Sequence, residues 1–200
     1  MSAPHWLGAA DRFLFREINQ AWTNRVLDAI MPVLTDLDRS RVFLGLALPG
    51  VLLAWLWRQR ARAARVILAL GLVVGATDLL CHRALKPLVH RARPERAGVG
   101  AVLRAGSHGV YGFPSNHAAN MFAGAAFLSP LYPSLSVAFF AGAAVIAYSR
   151  VYVGAHFPLD VVGGGLVGMI LGFAGAWAFR RLEGSRAPPG QGAARAERSR

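Results

Sequence analysis

Ser149-Arg150-Val151-Tyr152-Val153-Gly154-Ala155-His156-Phe157-Pro158-Leu159-Asp160 lies between two apolar runs, and its reading decides how the rest of the chain is read. An arginine, a histidine six residues on and an aspartate four beyond it are costly to keep beside a hydrophobic segment unless they pair or do chemistry. Attack on phosphorus needs such a set. An imidazole serves as nucleophile, a carboxylate fixes its tautomer, and a guanidinium neutralises the oxyanions. Pro158 suits the first turn of a helix. Asp160 then falls near the third helical position, where its carboxylate reaches back toward the residues before the helix. The competing reading is an interfacial loop whose charges only anchor helix ends.

The flanking composition favours a membrane setting. The 200 residues allow one ordinary domain, 54% of them are hydrophobic and only 16% charged, with a mean hydropathy of +0.39. Such a chain is too apolar for an ordinary soluble domain. The net charge of +12 is carried almost wholly by arginine, Lys86 being the sole lysine. Basic clusters between apolar spans fit membrane topology and anionic substrates better than nucleic acid. The single Cys81 excludes an internal disulfide, and no metal-ligand spacing of Cys and His occurs, so neither a metal nor a cofactor is expected. No removable signal peptide is expected at the N-terminus.

The spacing of apolar runs predicts an all-α, polytopic membrane helix bundle with five to six transmembrane helices and an N-terminal interfacial helix. Residues 1–24 form the interfacial amphipathic segment, 25–180 the membrane-embedded domain, and 181–200 a disordered basic cytoplasmic tail. Spans are expected over Val42–Trp57, Val66–Leu85, Ala118–Tyr132, Leu135–Tyr148 and Val161–Phe179, with 25–35 either a short crossing or a re-entrant piece. The arginines at 58, 60, 62 and 65 and the basic tail point to the cytoplasm. Residues 86–117 and 149–158 then meet on the outer face. The basic loop 86–104 runs against that orientation unless it binds an anion.

Three segments are thereby brought to one face. Lys86 and Arg93 are candidate phosphate ligands, or ordinary interfacial anchors. Ser115 is a natural N-cap for a helix starting near Asn116, whose free amides form an anion site. His117 sits where a proton donor to a leaving oxygen is useful. Asp78, inside a span, either pairs with His82 or Arg83 or supports the site.

Lys86-x6-Arg93-Pro94, Pro114-Ser115-Asn116-His117 and Ser149-Arg150-x5-His156-x3-Asp160, in this order, resemble the three motifs of the type-2 phosphatidic acid phosphatase superfamily. The match covers residues 86–160. The resemblance implies that His156 attacks phosphorus to form a phosphohistidine, with Asp160 orienting it. His117 would protonate the leaving oxygen. Lys86, Arg93, Arg150, Ser115 and the Asn116 amide would hold the phosphate, and no metal would be required. Arg91 fits a frequent family preference for a second arginine near the first motif. Asn116 departs from the family's glycine, which leaves substrate preference open.

The implied function is a bacterial inner-membrane lipid phosphatase with its site on the periplasmic face, acting on a lipid phosphate, with undecaprenyl pyrophosphate favoured. Phosphatidic acid, phosphatidylglycerophosphate and lipid A are the alternatives, as is a phosphotransferase using the same site. Membrane lipids are the other expected partners, and nucleic acid is not. The vanadate-dependent haloperoxidases share the phosphate cradle, but those proteins are soluble and larger.

Overall fold

A computed structural model describes residues 5–37, 40, 45, 48–106 and 109–185. The described residues form seven α-helices: α1 (His5–Arg16), α2 (Arg25–Thr35), α3 (Leu48–Leu80), α4 (Lys86–Val89), α5 (Asn116–Leu128), α6 (Ser136–Tyr152) and α7 (Pro158–Gly184). Among them no strand forms beyond an isolated Ala92–Tyr111 bridge.

The organising element is α5. It holds only 13 residues, yet Ala118, Ala119, Ala123, Ala125, Ala126 and Phe127 are buried. It packs against α7, α6 and α3. The alanines let backbones approach, and α7 answers with glycines one turn apart. A Cβ added at Gly164, Gly168 or Gly172 would meet Ser115 O, Ala119 O or Ala123 O respectively. The expected close packing of the Gly/Ala-rich last helix is therefore a glycine seam against α5.

Three helical stretches are long and apolar enough to cross a membrane: Leu48–Val89, Pro133–Tyr152 and Pro158–Gly184. The first breaks at Arg60, whose backbone (φ 45°, ψ −121°) is not helical. That break falls inside the arginine cluster expected to separate two spans. Many outward side chains of these stretches are apolar, Leu53, Leu72, Val137 and Ile170 among them, as a lipid-facing surface requires. Over the expected span Ala118–Tyr132 lies the 13-residue α5, with six residues buried and Met121 exposed. Residues 42–44 and 46–47 of another expected span lie outside the described residues.

α2 starts cleanly, because the Asn24 side chain accepts hydrogen bonds from Val26 N (3.0 Å) and Leu27 N (2.9 Å), a cap worth about 1 kcal/mol. Its 11 residues extend roughly 16 Å, short of a crossing. The C-terminal boundary differs from expectation: α7 continues past Arg180 to Gly184. Arg65 Nε donates to Glu183 Oε1 at 2.7 Å, and the Arg181 guanidinium lies over the Trp177 ring. Both contacts extend the helix into residues read as tail. The tail beyond 185 lies outside the described residues.

The N-terminal segment is more than an interfacial helix. Phe15, Asp11 and Asn19 are all buried. The Phe15 ring meets Phe157 edge-on at 5.2 Å, so α1 packs directly beneath the segment that joins α6 to α7.

Candidate active site

Asp160 is built into the first turn of α7, where Pro158 opens the helix as expected. Its Oδ2 accepts from Phe157 N at 2.9 Å and lies 3.5 Å from His156 Nδ1. Its Oδ1 accepts from Arg91 Nη1 at 2.8 Å. A carboxylate can only accept, so a proton on Nδ1 is favoured and Nε2 is left with its lone pair. Nε2 is 3.4 Å from Arg93 Nη1. The imidazole is 1% exposed. Burial lowers its pKa to about 4, with the cation of Arg93 adding to the fall and Asp160 opposing it. It is therefore neutral at physiological pH, the form that can act as a nucleophile.

Arg93 is held across the loop by donating to Ala155 O at 3.1 Å. Burial lowers its pKa, and the carboxylates of Glu95 and Asp160 counter that. Arg150, in the last turn of α6, donates to Thr35 Oγ1 at 2.8 Å. Lys86 opens α4 on the helical line that descends from α3. Asp78, His82 and Lys86 recur every four residues and share one face of that line.

A cavity of about 230 Å³ gathers Lys86, Arg93, Asn116, His117, Arg150 and His156, together with Asp36, Asp78, His82 and Gly106. Six of the eight predicted site residues thus line one space. Asp160 stands behind His156. Ser115 stands apart: its hydroxyl is buried without a hydrogen-bond partner and makes no side-chain cap. Instead its backbone N donates to Asp160 O at 2.9 Å. The expected cap is replaced by a tie between two of the motifs.

A second cavity of about 290 Å³, bordered by Leu34, Leu37, Met121 and Ile146, adjoins the first. Asp78, Asn116 and His117 border both. Asp78 Oδ1 accepts from Asn116 Nδ2 at 2.7 Å and Asn120 Nδ2 at 3.1 Å. Of its two expected roles, the structure therefore favours support of the site over a pairing with His82 or Arg83.

Other contributors escaped the sequence reading. Asp11 accepts from Arg91 Nη2 and from Leu159 N at 2.8 Å. Arg91 thus bridges two buried carboxylates, and its guanidinium also covers the Phe157 ring. It supports Asp160 and does not border the basic cavity. Asn19 joins the loops by donating to Val102 O (2.9 Å) and Tyr152 O (2.8 Å). A polar residue recurring within the otherwise apolar face of the N-terminal helix was the available signal.

The fold and the site together define a helix-bundle protein with a basic, histidine-bearing cavity suited to an anion. Residues 63–183 match the family model described as the PAP2 superfamily, and the chain belongs to that superfamily. A lipid A 4'-phosphatase of Bacteroides thetaiotaomicron is 35% identical over 64% of this chain; the match spans 61% of that protein, under two thirds of its length. Phosphatidylglycerophosphatase B of Bacillus subtilis is 32% identical over 78% of this chain and 75% of its own. The crystal structure of Aquifex aeolicus LpxE superposes with a TM-score of 0.63 at 30% identity, covering 82% of this chain and 92% of that one.

Proposed function

We propose that the protein is a lipid phosphatase of the membrane, working through a phosphohistidine on His156. The observation that carries this reading is the buried His156, backed by Asp160 and lining a cavity that contains Lys86, Arg93 and Arg150. His156 Nε2 attacks phosphorus, forming an N–P bond while the bond to the lipid oxygen breaks. His117 gives that oxygen its proton. A water then attacks phosphorus, His117 takes the water's proton, and the N–P bond breaks to release inorganic phosphate. Lys86, Arg93 and Arg150 offset charge on the phosphoryl oxygens, with the Asn116 amide adding a donor. Ser115 contributes through its backbone tie to Asp160.

A lipid substrate is supported by the apolar cavity that meets the basic one at His117. The reading places the site on the outer face of a bacterial inner membrane, following the arginine bias of the loops. The test is phosphate release by the detergent-solubilised protein from undecaprenyl pyrophosphate, phosphatidic acid, phosphatidylglycerophosphate and lipid A side by side. EDTA is present throughout, with His156→Ala as control. Release that survives EDTA and vanishes in His156→Ala is the expected result. Equal release by the variant, or release abolished by EDTA and restored by Mg²⁺, would overturn the mechanism.

A further inference from the structure

We propose that the Asp78 carboxylate makes this site bind lipid phosphomonoesters in preference to lipid diphosphates. The inference rests on the phosphatase reading above and sharpens its substrate class.

An aspartate is an unexpected neighbour for a phosphate. The basic cavity has three cations, Lys86, Arg93 and Arg150, but also the carboxylates of Asp36 and Asp78. Asp36 borders that cavity alone, whereas Asp78 also borders the apolar one. Asp78 therefore stands where a lipid chain would leave the phosphate site, beside His117. In a phosphomonoester the group at that boundary is an alkoxy carbon. In a diphosphate attacked at its terminal phosphorus it is a second phosphate, bearing the extra negative charge. Like charges meet there, and Asp78 cannot swing aside, because Asn116 and Asn120 both donate to its Oδ1.

The two asparagines extend the effect. Each amide must turn its nitrogen to the carboxylate, which leaves its oxygen pointing away. Both Oδ1 atoms are buried without a hydrogen-bond partner. Asn116 borders both cavities and Asn120 the apolar one, so the amide donors beside the boundary are already engaged by Asp78 and are not offered to a second phosphate. Rejection by like charge and by a lack of free donors is a recognised route to specificity.

The experiment uses farnesyl phosphate and farnesyl diphosphate, which differ by one phosphate, as competitive inhibitors of the full-length protein in detergent. The reporter is whichever lipid phosphate the wild type hydrolyses. Farnesyl phosphate is expected to have a Ki about tenfold lower than the diphosphate in the wild type. Asp78→Asn keeps the shape and an acceptor for the amides, and should collapse that ratio toward one. Asp78→Glu, which keeps the charge, should retain a monophosphate preference. A wild-type preference for the diphosphate would overturn the proposal whether or not the variants fold. So would an unchanged ratio in Asp78→Asn, or failure of farnesyl phosphate to inhibit. If the wild type hydrolyses no lipid phosphate at all, the phosphatase reading itself falls, and this inference with it.

Discussion

His156 carries its proton balance into stability as well as chemistry. Its pKa falls from an ordinary 6.5 to about 4 on burial, so between those values the unfolded chain binds a proton that the folded one does not. Stability from this group is therefore full above about pH 6.5 and is lost as pH drops toward 4, by about 3 kcal/mol. Thermal unfolding in detergent should show a Tm that falls through this window. In His156→Gln the slope should flatten, and an unchanged slope would assign the acid sensitivity to other groups. Asp11 invites a different measurement. It does not border the basic cavity, but it grips Arg91, which itself holds Asp160, and Leu159 N beside it. Asp11→Asn weakens that grip while keeping the size of the side chain. The expected result is a fall in kcat of roughly 10- to 100-fold with KM little changed. A rise in KM alone would make Asp11 a determinant of binding and not of alignment.

At the scale of elements, the glycine seam between α5 and α7 sets how closely the motifs approach. Gly168 faces the Ala119 carbonyl and Ala123 N, where an added Cβ would collide with backbone. Backbone cannot rotate away as a flexible side chain can. Gly168→Val should therefore cost about 1–3 kcal/mol or more, read as a lower Tm. Activity should fall along with it, because α5 also carries Asn116 and His117. A variant with wild-type Tm would mean that the helices separate at no cost. Gly71 lies inside α3 and faces open space, so Gly71→Ala serves as the control and should not lower Tm, Ala being favoured over Gly in a helix interior by about 0.5–1 kcal/mol.

For the whole molecule, legibility followed the range of the interaction. The His156–Asp160 geometry was readable because its parts lie four residues apart and Pro158 announces the helix between them. The assembly of Lys86, Arg93, Asn116, His117, Arg150 and His156 in one cavity followed from placing three helix ends on one face. Asp78 was visible as a charge inside a span, but its partners Asn116 and Asn120 come from another helix, and no local pattern reveals them. Apolar runs gave the helices but not their surroundings. Ala118–Leu128 is as apolar as a lipid-facing span, yet three helices pack against it, and its small side chains let them approach. Thr35 was hidden for a related reason: its hydroxyl ends a helix that reads as merely apolar, and its partner Arg150 lies 115 residues on.

The Asp11 brace has a consequence for how the molecule comes into being. Leu159 N reaches back to a side chain 148 residues earlier, so the two partners leave the ribosome far apart in time. The first arginine-bearing motif segment, 86–94, is therefore made well before the Asp11–Leu159 tie can close. A half-made copy has helices and charges but no aligned histidine. Long-range closures of this kind come late in folding, which keeps the reactive constellation unassembled until α7 has docked.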